Sequence, residues 1–415
     1  MLRNHVLFPF ALLLLGNSMA YATNGDTMLA VGSQNTALGG SGVANFVGAE
    51  SSFANPALLG KAKGRELTAG SVLFKPSVTN TGFTGNTPVT SSANTNYIPD
   101  VSYSDRASDS LTYGVALAGI AGMGVNYSDA SASYVKARTT LSILKVIPTI
   151  AYNQKEFGIG ISPVFQYGSL AISYATQNGA HNPNHDADSH SNFGYNVGGY
   201  YNINPALTVA AAYNSSIEMT YGHQLSSAGT GFMQSFSDTL TQPAELKAGF
   251  AYTISSNYTV TADYRSIEWA SAKGYKEFGW ENQTVLAFGG KYATDGYWLG
   301  VGYNKSDNPI GVFANGLPNL ATNGANGQNG IGNLFNNLMF PAVVKSAFTF
   351  GGGYTLTKDL AIEASAMIAP KVTTRVDISD ATNTPSNPPN PAGSLYNTTT
   401  HSQQSYSVSL RYKLK

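Results

Sequence analysis

The chain has 415 residues, with 23 basic and 23 acidic side chains, so its net charge is near zero and only 11% of it is charged. That balance gives no electrostatic footprint for nucleic acid, and the absence of cysteine removes disulfide frameworks and thiolate chemistry. After residue 20 no apolar run reaches the roughly eighteen residues that a membrane-crossing helix needs.

The first residues read as an export signal. Arg3 precedes an apolar run from Val6 to Leu15, and Ala20-Tyr21-Ala22 offers small residues at a cleavage site. Cleavage after Ala22 leaves Thr23, Asn24, Gly25 and Asp26 as the mature N-terminus; cleavage after Ala20 is the alternative. The apolar run is too short to span a bilayer, so residues 1–22 are expected to be removed.

Residues 23–65 do not alternate as a membrane strand does. They carry Gly39, Gly40 and Gly42 in a glycine-rich stretch, followed by Asn55-Pro56-Ala57. Glycine permits sharp turns and close packing against a wall. Proline fixes a bend, and asparagine can hold it by a local hydrogen bond. This segment is expected to form a compact plug.

Alternation takes over from residue 66. Strands are predicted at about 66–76, 97–106, 111–120, 145–153, 156–167, 192–203, 206–216, 243–254, 257–270, 282–294, 297–306, 343–356, 359–372 and 404–414. Fourteen is an even number, as bacterial single-chain barrels have. The connections near 107–110, 154–156, 203–206, 255–257, 294–297 and 356–359 are short. Those near 77–96, 121–144, 168–191, 217–242, 271–281, 307–342 and 373–403 are longer. A soluble β-sandwich also alternates, but it lacks this one-sided loop asymmetry.

The faces agree. Leu246, Ala248, Phe250, Tyr252 and Ile254 fall on one side of a strand, with Glu245, Lys247, Gly249, Ala251 and Thr253 on the other. Tyrosines gather near strand ends, where aromatic girdles meet the membrane interface. The fold class is therefore all-β: a transmembrane antiparallel β-barrel of about fourteen strands (66–415) with an N-terminal plug (23–65) in its lumen. Export signal and barrel together place it in a Gram-negative outer membrane.

By alternation Lys247, Arg265, Lys291, Lys345 and Arg411 point inward, as do Glu245, Asp263 and Glu363. A ligand carboxylate would seek Lys247, Arg265, Lys291 or Lys345 beside apolar walls; pairing across strands is the competing role. Loop 307–342 carries Leu317, Leu320, Ile331, Leu334, Phe335, Leu338, Met339 and Phe340. That density calls for a partner, whether ligand, neighbouring loop or lipid, and ligand capture is one expectation. In the third strand Gly114 and Gly119 are candidates for a kink. His181, His185 and His190, with Asp186 and Asp188, share one loop, but their spacing fits no established zinc motif. No metal or cofactor is assigned. No nucleophile elbow, phosphate loop, zincin or dinucleotide motif is present, so the chain is not read as an enzyme.

The succession Gly39-Gly40, Gly42, Ala44 and Asn55-Pro56-Ala57, ahead of the first strand, resembles the FadL-type family of outer-membrane transporters for long-chain fatty acids and other hydrophobic molecules. The tripeptide recurs at Asn204-Pro205-Ala206 and Asn390-Pro391-Ala392, so its place is what carries the likeness. Tyr97-Ile98-Pro99, Val146-Ile147-Pro148, Gln242-Pro243-Ala244, Ala262-Asp263-Tyr264 and Gly300-Val301-Gly302-Tyr303 extend it along nearly the whole chain. One departure is the last strand's end, Tyr412-Lys413-Leu414-Lys415, where an aromatic residue is usual.

The resemblance implies a passive route. A hydrophobic molecule is captured between outer loops, enters an apolar pocket, displaces the plug's N-terminus, and leaves sideways through a kinked third strand into the membrane. The expected partners of a monomeric barrel are this ligand and outer-membrane lipid, with no nucleic acid. Long-chain fatty acids are the expected substrate; aromatic or aliphatic hydrocarbons, or the polar solutes of a general diffusion porin, are the alternatives.

Overall fold

A computed structural model describes residues 24–82, 87–128, 136–175, 181–182, 186–231, 236–313, 329–382 and 393–415. The export signal, Thr23, His185, Leu317, Leu320 and Asn390-Pro391 lie outside them. The wall is built of fourteen strands: β1 (Arg65–Thr81), β2 (Asn96–Arg106), β3 (Leu111–Asn126), β4 (Arg138–Asn153), β5 (Phe157–Ala175), β6 (Asp188–Asn204) and β7 (Leu207–Asn214). The return half is β8 (Glu245–Thr253), β9 (Tyr258–Ile267), β10 (Gln283–Ala293), β11 (Tyr297–Ser306), β12 (Ser346–Thr355), β13 (Leu360–Asp377) and β14 (Tyr396–Leu414). Each pairs antiparallel with its chain neighbour, and β14 closes on β1 from Arg65↔Leu414 to Thr81↔Thr398. Closure satisfies the backbone within the ring, which a lipid environment demands. Two-residue pieces, Val89–Thr90 and His181–Asn182, pair onto the outer ends of β1 and β5.

Side-chain placement follows the alternation. On β8, Leu246, Phe250 and Tyr252 face outward and are exposed, whereas Glu245 and Lys247 are buried inside. On β14, Tyr406, Val408, Leu410 and Tyr412 face outward, with Ser405, Ser407, Ser409 and Arg411 buried.

The wall is uneven. Strands β13, β14, β1 and β3–β6 run 16 to 19 residues, whereas β7–β9, β11 and β12 run 8 to 10. Loops expected near 121–144, 168–191 and 373–403 are consequently shorter than the sequence suggested. The physical reason is visible on β14. Beyond the bilayer its outward residues become Thr398, Thr400 and Ser402, while Asn397, Thr399, His401 and Gln403 are buried inside. A strand polar on both faces carries no apolar stripe to mark it.

Over the low side of the wall, the long loops fold into a cap with its own apolar core. It includes helix α2 (Leu225–Gly231) and helix α3 (Asn329–Met339), with Met219, Tyr221, Trp269, Tyr275, Phe278 and Trp280 buried together. The proposed capture residues Leu334, Phe335, Leu338, Met339 and Phe340 belong to this core and are at most 2% exposed. Phe335 packs its ring 4.9 Å from Phe236 and 5.1 Å from Phe278. The partner they call for is thus the neighbouring loops, and the expectation of an open capture surface at these five residues is corrected.

Candidate functional site

Residues 24–64 occupy the lumen, with helix α1 (Ser33–Ala37) and two 3₁₀ turns at Ala49–Phe53 and Pro56–Lys61. Gly39 and Gly40 adopt left-handed backbone (φ 71° and 83°). A Cβ on Gly39 would stand 2.8 Å from the Tyr303 backbone nitrogen, and one on Gly40 would stand 2.7 Å from the Leu29 carbonyl oxygen. Only glycine permits both the turn and that approach to β11. Gly42 instead lies against the Asn35 side chain.

Asn55 is the plug's hub. Its Oδ1 accepts from the Ala57 N–H at 3.0 Å and so caps the turn that Pro56 begins. Its Nδ2 donates to the Val43 carbonyl at 2.9 Å and to the Gly199 carbonyl of β6 at 3.2 Å. One buried side chain joins the glycine-rich stretch, the second turn and the wall. Asn204, by contrast, caps an exposed turn through the N–H groups of Ala206 and Leu207.

Ion pairs seat the plug. Arg411 on β14 meets Glu50 of the plug at 2.5 Å, Glu66 at 2.5 Å and Glu363 at 3.1 Å. Asp263 accepts from the Val43 N–H at 2.8 Å, and Ser41 shares a hydrogen bond with Thr261 at 2.6 Å.

The inward cations anticipated for a ligand are engaged in the same seam. Lys247 lies 3.3 Å from Glu245 and donates to the Phe53 carbonyl; Arg265 lies 3.8 Å from Glu245 and donates to the Leu29 carbonyl. Lys291 donates to Gln34 at 3.1 Å. Lys345 precedes β12 by one residue and is exposed, so it is not enclosed with the others as alternation suggested.

Sequence reasoning passed over Lys145 on β4. It lines a cavity of about 90 Å³ together with Met28, Leu29, Val31, Phe53, Ile120, Val285, Lys247 and Arg265. Among the described residues Lys145 has no hydrogen bond and no ion pair within 4 Å. Carrying the period-two pattern back from Thr149 through Ile147 would have reached it; the predicted strand stopped at its position.

The cavity abuts an irregularity in the wall. Pairing of β2 with β3 ends at Asp100↔Ala118, and the next β2 residue is Pro99, which has no N–H to continue the ladder. On its other side β3 shifts register against β4 between Gly119 and Ala121, so that Ile120 is an extra residue. Of the two kink candidates, Gly119 adjoins this bulge, and Gly114 sits in regular pairing with Ser104 and Thr149. The beginning of the plug takes up the edge that β2 leaves. Met28 donates its N–H to the Ile120 carbonyl, Gly122 donates to the Asp26 carbonyl, both at 2.9 Å, and Thr27 bridges to Ala121. Asn24 and Thr27 close the preceding turn on each other, with Gly25 at φ 65° between them.

His190 sits on β6 opposite Gly168, and His181 is in a two-residue strand beside β5. With His185 outside the described residues, the three are not brought together.

The arrangement can admit a small, partly apolar molecule beneath the cap and offers a sideways path past a short, removable strand. Comparison with known proteins gives the same picture of the fold. Residues 19–310 match the family described as outer membrane protein transport protein (OMPP1/FadL/TodX). Among solved structures, a FadL homologue from Pseudomonas aeruginosa is similar at 14% identity, with a TM-score of 0.66 over 96% of this chain and 100% of that one. The toluene transporter TodX of P. putida is similar at 16% identity and a TM-score of 0.65, over 93% of this chain and 99% of that one. The toluene transporter TbuX of Ralstonia pickettii is similar at 14% and 0.63, with the same coverage. No curated protein matches the sequence.

Proposed function

The chain belongs to the outer-membrane transport protein family OMPP1/FadL/TodX, which moves hydrophobic compounds across the outer membrane, and from that premise we propose that it takes up long-chain fatty acids passively and releases them sideways into the bilayer. The observation that carries the route is the break between β2 and β3, occupied by residues 26–28 of the plug instead of by the wall. Three backbone contacts are far easier to undo than a full ladder, since each is worth only about 1 kcal/mol net.

The acid group is argued from Lys145. A cation without a hydrogen bond, beside Met28, Leu29, Phe53 and Ile120, suits a carboxylate joined to an alkyl chain. The cavity's 90 Å³ is smaller than the roughly 150 Å³ that accommodates benzene in an engineered core. Any substrate must therefore displace the plug's first residues. The apolar part of the same lining favours a second reading, uptake of toluene-like hydrocarbons, which the names of TodX and TbuX bring to mind. We read the barrel as a monomer in outer-membrane lipid, because the closed ring leaves no strand edge for a second copy.

The test is uptake of labelled oleate and of toluene by vesicles holding the purified protein. Lys145→Met should depress oleate uptake and spare toluene. Equal effects on both would remove the acid reading, and a steady ohmic conductance from the intact protein would make it a porin.

A further inference from the structure

The cap reaches down to the plug's first residues. Tyr275, in the extracellular segment between β9 and β10, donates its hydroxyl to Asp26 Oδ2, and Gln242 Nε2 donates to the same oxygen at 2.8 Å. Gly25 lies flat on the indole of Trp269; a Cβ there would stand 2.7 Å from Trp269 Cε2. Trp269 and Tyr275 pack at 4.6 Å between ring centres and Tyr275 and Trp280 at 4.7 Å, and Trp280 Nε1 donates to Asn336 of α3 at 3.1 Å. From the other side, Asp26 accepts the Gly122 N–H of β3. Two residues of the plug are thus held between the cap's aromatic core and the edge of the gap.

We propose that the segment 268–282, through Trp269 and Tyr275 and with the help of Gln242, clasps Gly25 and Asp26 against β3, so that parting the cap and opening the sideways exit are one movement. This rests on the reading of the β2–β3 break as the exit. The coupling has a physical cause. Asp26 is fully buried and its Oδ1 has no partner. If the cap lifts, Oδ2 loses both donors, and a buried carboxylate without them is costly enough to leave for water. Its backbone bond to Gly122 then goes with it. Burial holds the Asp26 carboxyl up at about 6, against the pull of its hydrogen bonds to Tyr275 and Gln242 and of nearby Lys145; Glu245 pushes it further up. The contact is therefore already near the limit of what its partners sustain. Tyr275 and Trp269 are positioning residues in this account.

The chain has no cysteine, so Met28→Cys introduces a single thiol on the clasped segment, and its rate of reaction with a maleimide in the purified full-length protein reports release. Adding Tyr275→Phe or Gln242→Met should raise that rate about tenfold or more, as expected for losing a hydrogen bond to a charged group. Tyr221→Phe removes a hydroxyl from the same cap that has no hydrogen-bond partner and should leave the rate unchanged. Heat-modifiable migration confirms that each variant is folded. If both donor variants react at the parent rate, or Tyr221→Phe accelerates equally, the clasp is refuted. Labelling needs no ligand, so a protein that takes up neither oleate nor toluene but shows the accelerated labelling would sink the transport reading and leave the clasp standing.

Discussion

Replacing Asn55 by alanine should loosen the plug and leave the wall intact. The side chain caps the turn at Ala57 and donates to the carbonyls of Val43 and Gly199. Losing the cap costs about 1 kcal/mol and each of the other bonds about 1 kcal/mol, together on the order of 3 kcal/mol. At roughly 1.4 kcal/mol per factor of ten, the ratio of displaced to seated plug should rise about a hundredfold. The wall does not share this loss, because its strands are joined in a closed ring. Two assays separate the effects: heat-modifiable migration on gels for the barrel, and the frequency of transient openings in planar bilayers for the plug. Asn55→Ala should migrate as the parent does and open far more often. Asn204→Ala, which removes a cap of the same chemistry from an exposed turn, should do neither. Equal behaviour of the two variants, or no added openings in Asn55→Ala, would refute the role given to Asn55.

Three further outcomes follow from the same contacts. Because the Asp26 carboxyl is raised from 3.8 to about 6 by burial, the clasped state is favoured while it is protonated. That advantage is complete below about pH 4 and lost as pH rises through about 6. Maleimide labelling of Met28→Cys, corrected for the intrinsic pH dependence of the thiol by a freely exposed control, should therefore climb by up to about a hundredfold between pH 4 and 7. Asp26→Asn should flatten that profile, and an unchanged climb would assign it to Tyr275, Tyr221, Lys145 or Glu245. Arg411→Met strands Glu50, Glu66 and Glu363 around an apolar chain and should cost about 3–5 kcal/mol, read as a lower melting temperature. Adding Glu50→Gln should recover part of it, and no recovery would mean that the plug's carboxylate is not a partner. Gly39→Ala should unseat the plug as Asn55→Ala does, since its left-handed backbone is 2.8 Å from β11; bilayer openings at the parent frequency would contradict that packing.

The strands were legible because lipid imposes a simple rule on their outer faces. Leu246, Phe250 and Tyr252 could only face out, and Glu245 and Lys247 only in. The rule lapses where the wall rises above the bilayer, as at Thr398–Gln403, so the strand ends there were underestimated. Gly39, Gly40 and Asn55 could be picked out because their local demands, left-handed turns and a helix cap, are written in residue type. What sequence does not show is which surfaces meet after folding. The apolar run Leu334–Phe340 suggested an outside partner, yet it packs on Phe236 and Phe278 far away in the chain. Lys247, Arg265 and Lys291 looked equivalent to any lumen cation until the plug's Phe53, Leu29 and Gln34 were seen against them. Lys145 and the contact of Asp26 with Tyr275 depend on loops placed over the lumen by strands more than two hundred residues apart, which no local pattern encodes.

The central claim is that substrate leaves between β2 and β3, and a reversible staple across that gap tests it most directly. A Cβ built on Gly119 stands 4.0 Å from the Ile98 Cβ, within the 3.5–4.5 Å that a disulfide spans. The double variant Ile98→Cys/Gly119→Cys adds the chain's only two thiols. Oleate uptake by vesicles carrying this protein should be abolished when the pair is oxidised and restored by a reductant, with each single variant indifferent to redox state. Uptake that continues unchanged through the oxidised, verified cross-link would contradict a sideways exit and send the substrate straight through the barrel.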